Sequence, residues 1–414
     1  MIPKIKNLLA RQIIDSRANP TIEVDVVLED GSFGRASVPS GASTGDKEAK
    51  EIRDGDPEQY GGMGVVNAVQ IVEEDIFENL VNRSFTQEEL DQTLIELDGT
   101  EDKNHLGANS ILAVSLAYAK ALAFNAGVPL HIHVGQKFLK YEEMPRAMFN
   151  ILNGGAHADN GLSFQEFMIV PQRYNFHEDM RCGVEIYHSL KRLLKEKGLT
   201  TSVGDEGGFA PVLETNEEAL EIILEAGLNA GYVSGKDFWL SLDIAANEIE
   251  KEGKYLHDGE MLKKDDFTSK LVKLSERFPI LSIEDPFHED DRESFIKLNK
   301  LIGEEVIIVG DDYLVTNSSK IEEASKEKSV GGVIIKPNQT GTVTEALTAT
   351  VTALKNKLLP IFSHRSGETE DVAIAHLAVA SRVPLVKFGA PARGERTAKY
   401  NELLRIEEEM LVTE

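Results

Sequence analysis

Trp239-Leu-Ser-Leu-Asp-Ile-Ala245 is a short apolar run that carries one ionisable residue, Asp243, near its end. The same design recurs down the chain, each time ahead of a helix-length segment. Ile280-Leu-Ser-Ile-Glu-Asp285, Val306-Ile-Ile-Val-Gly-Asp-Asp312 and Val333-Ile-Ile-Lys336 repeat it. Leu359-Pro-Ile-Phe-Ser-His-Arg365 and Leu385-Val-Lys387 complete the series. Runs rich in Val and Ile, spaced by helices, read as parallel strands buried on both faces. The alternation predicts an α/β fold built on a (β/α)8-type barrel. Polar residues at such strand ends are not needed for packing. In these barrels the strand ends share one face, and chemistry sits there.

At 414 residues the chain exceeds one ordinary core, so a second domain is expected. The first 38 residues or so read as a small antiparallel meander. Thr21 to Leu28 partly alternates, Asp30-Gly31 supplies a tight turn, and Ser32 to Val38 returns. Helices are expected near residues 62–80, 87–97 and 108–126, the last apolar all round and therefore buried between domains. Gly135 to Glu143 has the polarity of a linker. Residues 1–135 are thus expected to form a smaller N-terminal α+β domain, and residues 136–414 the barrel.

The net charge of −26 excludes nucleic acid and anionic membrane as natural partners. An anionic ligand would meet the same repulsion unless cations were concentrated locally. No apolar run approaches the roughly 18 residues of a membrane span, and Met1-Ile-Pro-Lys lacks the apolar core of a signal peptide. Cys182 is the only cysteine, which fits a reducing cytoplasm and reads as a small buried hydrophobe. The charged cluster His288 to Arg292 reads as solvated surface. Gly61-Gly-Met-Gly64 lacks the spacing and the preceding strand of a nucleotide loop.

Asp243, Glu284 and Asp311 end three successive strands. Singly, each reads as a helix cap; together, at strand spacings of about 4.8 Å, they repel unless a hard divalent cation such as Mg²⁺ sits among them. Lys336 ends the next strand, where it either neutralises those acids or, beside metal, serves as a general base of lowered pKa. Glu206 in a glycine-rich turn and Glu166 in Phe164-Gln-Glu-Phe form a second acidic pair. Two carboxyls sharing one proton give a neutral general acid. His364, Arg365 and Lys387 bring cations to one side, with Arg365 either an anion clamp or a structural ion pair. His157 adds an imidazole from Asn153-Gly-Gly-Ala-His157. This set suits proton abstraction beside a carboxylate and expulsion of a β-hydroxyl.

The sequence resembles the enolase family over nearly its whole length. The likeness is carried by Ser40-Gly-Ala-Ser-Thr-Gly45, Leu106-Gly-Ala-Asn109, Gln165-Glu-Phe-Met-Ile169 and Gly204-Asp-Glu-Gly-Gly-Phe-Ala-Pro211. Ser282-Ile-Glu-Asp285, Gly310-Asp-Asp312, Lys336-Pro-Asn-Gln339 and Ser363-His-Arg-Ser-Gly-Glu368 continue it. A lysine base with a Mg²⁺-stabilised intermediate is that superfamily's known chemistry, not a deduction from these residues. The resemblance implies reversible dehydration of 2-phosphoglycerate to phosphoenolpyruvate in glycolysis and gluconeogenesis. It implies that Asp243, Glu284 and Asp311 hold a first Mg²⁺, and that Ser43 helps hold a second that arrives with substrate. Lys336 is expected to take the C2 proton and Glu206, supported by Glu166, to protonate the leaving hydroxyl. Lys387 is expected at the substrate carboxylate, His364, Arg365 and Ser366 near the phosphate, and Ala42, His157 and Gln165 beside the substrate. The likeness further implies a barrel opening with two antiparallel-type strands and two helices, a homodimer or larger homo-oligomer, and a cytoplasmic location.

Ala18 stands where the family usually has glycine in Asp-Ser-Arg-Gly-Asn-Pro; a positive φ there would cost alanine about 1 kcal/mol. Pro129-Leu-His-Ile-His133 replaces a tyrosine-containing segment. The rival readings are another superfamily enzyme acting on a sugar acid, and a non-enzymatic binding or scaffold role.

Overall fold

The computed structural model describes residues 2–41, 45, 47–135, 144–158 and 160–413. The chain opens with the expected meander: β1 (Ile5–Ile14), β2 (Pro20–Leu28) and β3 (Phe33–Ser37), each antiparallel to the next. Gly31, at φ 89°, makes the Asp30-Gly31 turn that only glycine adopts without strain. Helices Val66–Ile71, Phe77–Leu80 and Ala108–Ala126 pack on this sheet, and Gln87–Asp98 packs on Ala108–Ala126. Ala108–Ala126 is buried along nearly its whole length, as its all-round apolar sequence requires. It lies directly on β3: a Cβ at Gly34 would come within 2.0 Å of the Ala117 carbonyl oxygen.

The remaining chain forms a closed eight-stranded barrel. It begins with β4 (Arg146–Asn153) and β5 (Glu166–Pro171), then two helices, Phe176–Glu196 and Asn216–Asn229, before β6 (Phe238–Asp243). A small antiparallel insert follows: β7 (Glu250–Lys251), β8 (Lys254–His257) and β9 (Glu260–Lys263). Regular strand–helix units then supply β10 (Ile280–Glu284), β11 (Ile307–Gly310), β12 (Gly332–Ile335), β13 (Leu359–Ser363) and β14 (Leu385–Lys387). β5 runs antiparallel to both β4 and β6, whereas every other neighbouring pair is parallel. The two antiparallel pairings and two helices at the start match what the family likeness implied.

Met148, Met168, Val170, Val309, Ile334, Ile361 and Leu385 fill the barrel interior. A larger apolar layer joins the strands to the surrounding helices. Asn175, Thr215, Asn317 and Thr342 cap barrel helices by accepting backbone N–H groups of the first turn, each worth about 1 kcal/mol. Among the described residues, no helix is long and apolar enough to cross a membrane. Cys182 is fully buried, and burial pushes its thiol up to about 12, so it is the inert hydrophobe its sequence context suggested. The His288–Arg292 cluster corrects the surface reading, because Glu289 and Asp291 are buried; Asp291 accepts hydrogen bonds from Tyr255 and Ser294.

Candidate active site

The strand ends of the barrel do share one mouth, and strand register decides which acids meet there. Glu166 pairs in register with Asp243, and Asp243 with Glu284, so three carboxylates stand level on adjacent strands. Asp311 is not in that row: Glu284 aligns with Val309, which places Asp311 two residues further out. The level trio is therefore Glu166, Asp243 and Glu284, where Asp243, Glu284 and Asp311 were expected at equal depth.

Lys387 compensates the trio. Its Nζ lies 2.7 Å from Asp243 Oδ2, 2.9 and 2.8 Å from the two Glu284 oxygens and 3.3 Å from Glu166 Oε2. Lys336 pairs with Asp311, whose other oxygen accepts from Gln339 Nε2 at 2.9 Å. Burial pulls the Lys336 ammonium down, yet Asp311 wins and raises it above the usual lysine value. Of the two sequence readings of Lys336, the pairing with Asp311 is the neutralising one. Among the described residues, the acidic groups whose ligand atoms lie within 4.8 Å of one another are His157–Glu166–Glu206 and Asp285–Asp311–Asp312. Asp243 and Glu284 instead share the Lys387 ammonium. Asp285 accepts the backbone N–H groups of Asp311 and Asp312 at 2.9 and 2.8 Å. Burial and its acidic neighbours push Asp285 well up, and burial with Asp311 pushes Asp312 up to about 7.

The second carboxyl pair faces this row. Glu206 Oε2 accepts from Asn150 Nδ2 at 2.9 Å and lies 3.3 Å from His364 Nε2. Arg396 Nη1 donates to His364 Nδ1 at 2.6 Å. Burial, with Arg396 alongside, lowers His364 to about 4, so it is neutral at pH 7 and turns its Nε2–H toward Glu206. Burial would raise Glu206, but His364, His157 and Arg396 outweigh it and hold the carboxyl well below its ordinary range. Glu166 has the opposite fate: burial, and then the charge of Glu206, push it well above. Burial and the neighbouring charge favour a proton on Glu166, while the donors converging on Glu206 favour its charged form. His157 Nδ1 stands between them, 3.8 Å from Glu166 and 3.9 Å from Glu206.

The third group is cationic. Arg365 is buried, with Nη1 and Nη2 donating to Glu48 at 2.9 and 3.2 Å, so the structural ion pair and the exposure to the cleft both hold. Ser366 and His364 adjoin it, and Gln165 lines the opposite wall. Ala42 and Ser43 lie outside the described residues. A larger cavity of about 880 Å³ opens beside helix Gln87–Asp98, but it collects none of these groups. The cleft at the mouth is small, with room for about 40 Å³, because the lysine–acid pairs fill it.

Some of the chain's left-handed backbone lies at the same place. Ala245, Asp285, Val315 and Thr316 follow the three acid-bearing strands and adopt φ of 49°, 37°, 44° and 55°, each costing roughly 1–3 kcal/mol. Gly389 (φ +84°) leaves room for the acid turn: a Cβ there would meet the Glu206 carbonyl oxygen and His364 Cε1 at 3.0 Å. Sequence reading did not single out Glu48, Asn150, Asp285, Asp312, Gln339 or Arg396. Only Glu48 and Gln339 had a signal, as polar residues three beyond Gly45 and Lys336.

Residues 5–134 match the enolase N-terminal domain and residues 141–413 the enolase C-terminal TIM barrel domain. Such domains belong to lyase-type enzymes that in general depend on Mg²⁺. With both matched in order over nearly its whole length, the chain belongs to the enolase family.

Proposed function

We propose that the protein catalyses the reversible dehydration of 2-phosphoglycerate to phosphoenolpyruvate. One observation supports this best: the buried lysines Lys336 and Lys387, the paired carboxyls Glu166 and Glu206, and Arg365 all line a single cleft. Asp243, Glu284 and Asp311 present only carboxylate oxygens, a donor set that fits a hard divalent ion. They would hold one Mg²⁺, and Ser43 would help hold a second. When bound, the ions supply the positive charge that a doubly negative enolate requires.

The chain's own residues then divide the work. Lys336 Nζ takes the proton from C2. It does so once Asp311 no longer holds its charge, since burial alone pulls the ammonium toward a basic, neutral form. The proton favoured on Glu166 passes to Glu206 and from there to the C3 hydroxyl, and that oxygen leaves as water. His157 stands between the two carboxyls, beside the substrate. Lys387 contacts the substrate carboxylate; His364, Arg365 and Ser366 receive the phosphate; Gln165 and Ala42 border the substrate. Residues 1–135 and 136–414 are read as the capping and barrel domains, and the protein as a cytoplasmic homo-oligomer, which size-exclusion chromatography with light scattering tests.

The decisive experiment follows the enol product's absorbance with 2-phosphoglycerate, in Mg²⁺ and in chelator. Turnover that appears only with Mg²⁺ is expected. Turnover of sugar acids in place of 2-phosphoglycerate would instead select the rival superfamily reading, and no turnover of either would favour a binding role.

A further inference from the structure

Glu48 belongs to the N-terminal part of the chain, three residues beyond Gly45, yet its carboxylate is buried against the barrel's Arg365. The pair is two-pronged: Arg365 Nη1 donates to Glu48 Oε2 at 2.9 Å and Nη2 to Oε1 at 3.2 Å, with the side chains 3% and 6% exposed. A planar fork on a planar carboxylate fixes the orientation of the guanidinium as well as its position. Other contacts fix Glu48 in turn. Its Oε1 accepts the Gly45 N–H at 3.1 Å and Gln339 Nε2 at 3.3 Å. Gln339 Nε2 also reaches Asp311 Oδ1 at 2.9 Å, and Arg365 Nη1 reaches Asn338 Oδ1 at 3.0 Å. One carboxylate therefore ties the Arg365 clamp to the segment around Gly45 and, through Gln339, to the acid that holds Lys336.

We propose that Glu48 is the positioning residue of the anion clamp: from the N-terminal domain it sets the plane in which Arg365 meets the substrate's phosphate. The inference rests on the phosphate role given to Arg365 above. A bystander ion pair would matter only to folding. A mere competitor for Arg365 would give the opposite sign, since removing its charge would strengthen anion binding.

The test uses full-length Glu48→Gln and Glu48→Asp. It reads KM and kcat with 2-phosphoglycerate and the affinity for inorganic phosphate by calorimetry, with circular dichroism to establish folding. Losing a charge-assisted buried hydrogen-bond pair should weaken phosphate binding about tenfold or more in Glu48→Gln and raise KM by the same factor, with kcat changed far less. Glu48→Asp, which keeps the charge and loses reach, should fall between, and it carries the test if Glu48→Gln does not fold. Phosphate affinity and KM within about twofold of wild type, or tighter phosphate binding, would overturn the proposal. Phosphate binding needs no turnover, so it decides the role of Glu48 even if the wild type fails to dehydrate 2-phosphoglycerate. A wild type that binds no phosphate overturns the clamp and its positioning together.

Discussion

Replacing Lys387 by methionine tests the electrostatic core of the site. The side chain is 3% exposed, and its ammonium lies within 2.7–3.3 Å of oxygens from Asp243, Glu284 and Glu166. Methionine keeps most of the volume and none of the charge, so the variant leaves three carboxylates buried together. Removing one partner of a buried ion pair costs about 3–5 kcal/mol. Unfolding entropy of about 2.1 cal/mol/K per residue over 414 residues comes to about 0.9 kcal/mol/K, so Tm in chelator at pH 7 should fall by about 3–6 °C. The pH dependence has a definite sign. Glu284 and Glu166 already sit well above the ordinary carboxylate range through burial and like-charged neighbours. Without the ammonium they rise further, the folded state binds more protons than the unfolded one, and stability grows as pH falls. The gap to wild type should therefore narrow from pH 8 toward about 5. The wild-type lysine behaves conversely: raised above its ordinary value, it contributes fully below its unfolded pKa of about 10.4 and is lost only at higher pH. Mg²⁺ restores positive charge to the acids, so its addition should raise Tm more in the variant than in wild type. Calorimetric melts in chelator and in Mg²⁺ read both effects. Equal Tm in chelator at pH 7, or an equal Mg²⁺ response, would refute the reasoning.

Lys336→Ala should slow exchange of the C2 proton with solvent by about 10²–10⁴ while calorimetric Mg²⁺ binding survives; normal exchange would take lysine out of the base role. Glu206→Gln should keep that exchange and lose dehydration by about 10²–10⁴, and equal loss of both steps would show the acid assignment wrong. Ala18→Gly should stabilise: Ala18 has φ 60°, a left-handed conformation costing a residue with a Cβ roughly 1 kcal/mol, so Tm should rise by about 1 °C. The turn it occupies holds Ser16 against the Ser366 carbonyl and the Glu368 N–H, so an unchanged or lower Tm would mean that these contacts already absorb the strain.

The barrel was legible because strands buried on both faces must be written as short apolar runs, and Leu240, Ile283, Ile334 and Ile361 are such residues. The direction of β5 was not legible from the runs. Glu166 to Pro171 is equally apolar whichever way it runs, so only the family likeness gave its antiparallel pairing. Depth was lost for a related reason. A sequence shows that Asp311 ends a strand, but Asp311 stands two residues beyond the register of Glu284, and only the ladder reveals that offset. The proton's preference for Glu166 depended on Asn150, His364 and Arg396, distant in sequence, and no local pattern around Glu206 encodes them. Asp285 and Asp312 were quoted in motifs yet passed over, since nothing local distinguishes a carboxylate that accepts distant backbone N–H groups, as Asp285 does, or a side-chain amide, as Asp312 does, from a solvated one.

To take the phosphorylated carboxylate proposed as its substrate, a chain of net charge −26 must overcome its own field, and the mouth of the barrel bears on how it would do so. Its buried cations are engaged: Lys387 by Asp243, Glu284 and Glu166, Lys336 by Asp311, Arg365 by Glu48, and Lys399 by Glu368. Glu206, Asp285 and Asp312 add further acid, relieved at the last two by protonation that burial favours. An anion entering here meets lysines already paired with carboxylates, so substrate affinity should rise with added divalent cation. The same exchange serves both halves of the proposed chemistry. The proposed ligands Asp243, Glu284 and Asp311 are also the partners of Lys387 and Lys336, so a bound cation would compete with both lysines for these acids, leaving Lys387 to meet a carboxylate and Lys336 to act as base. Binding and base strength are then coupled through one set of ion pairs, and a single measurement separates this coupling from mere charge screening. Substrate affinity should follow the concentration of Mg²⁺ steeply, and should respond far less to an equal ionic strength of monovalent salt.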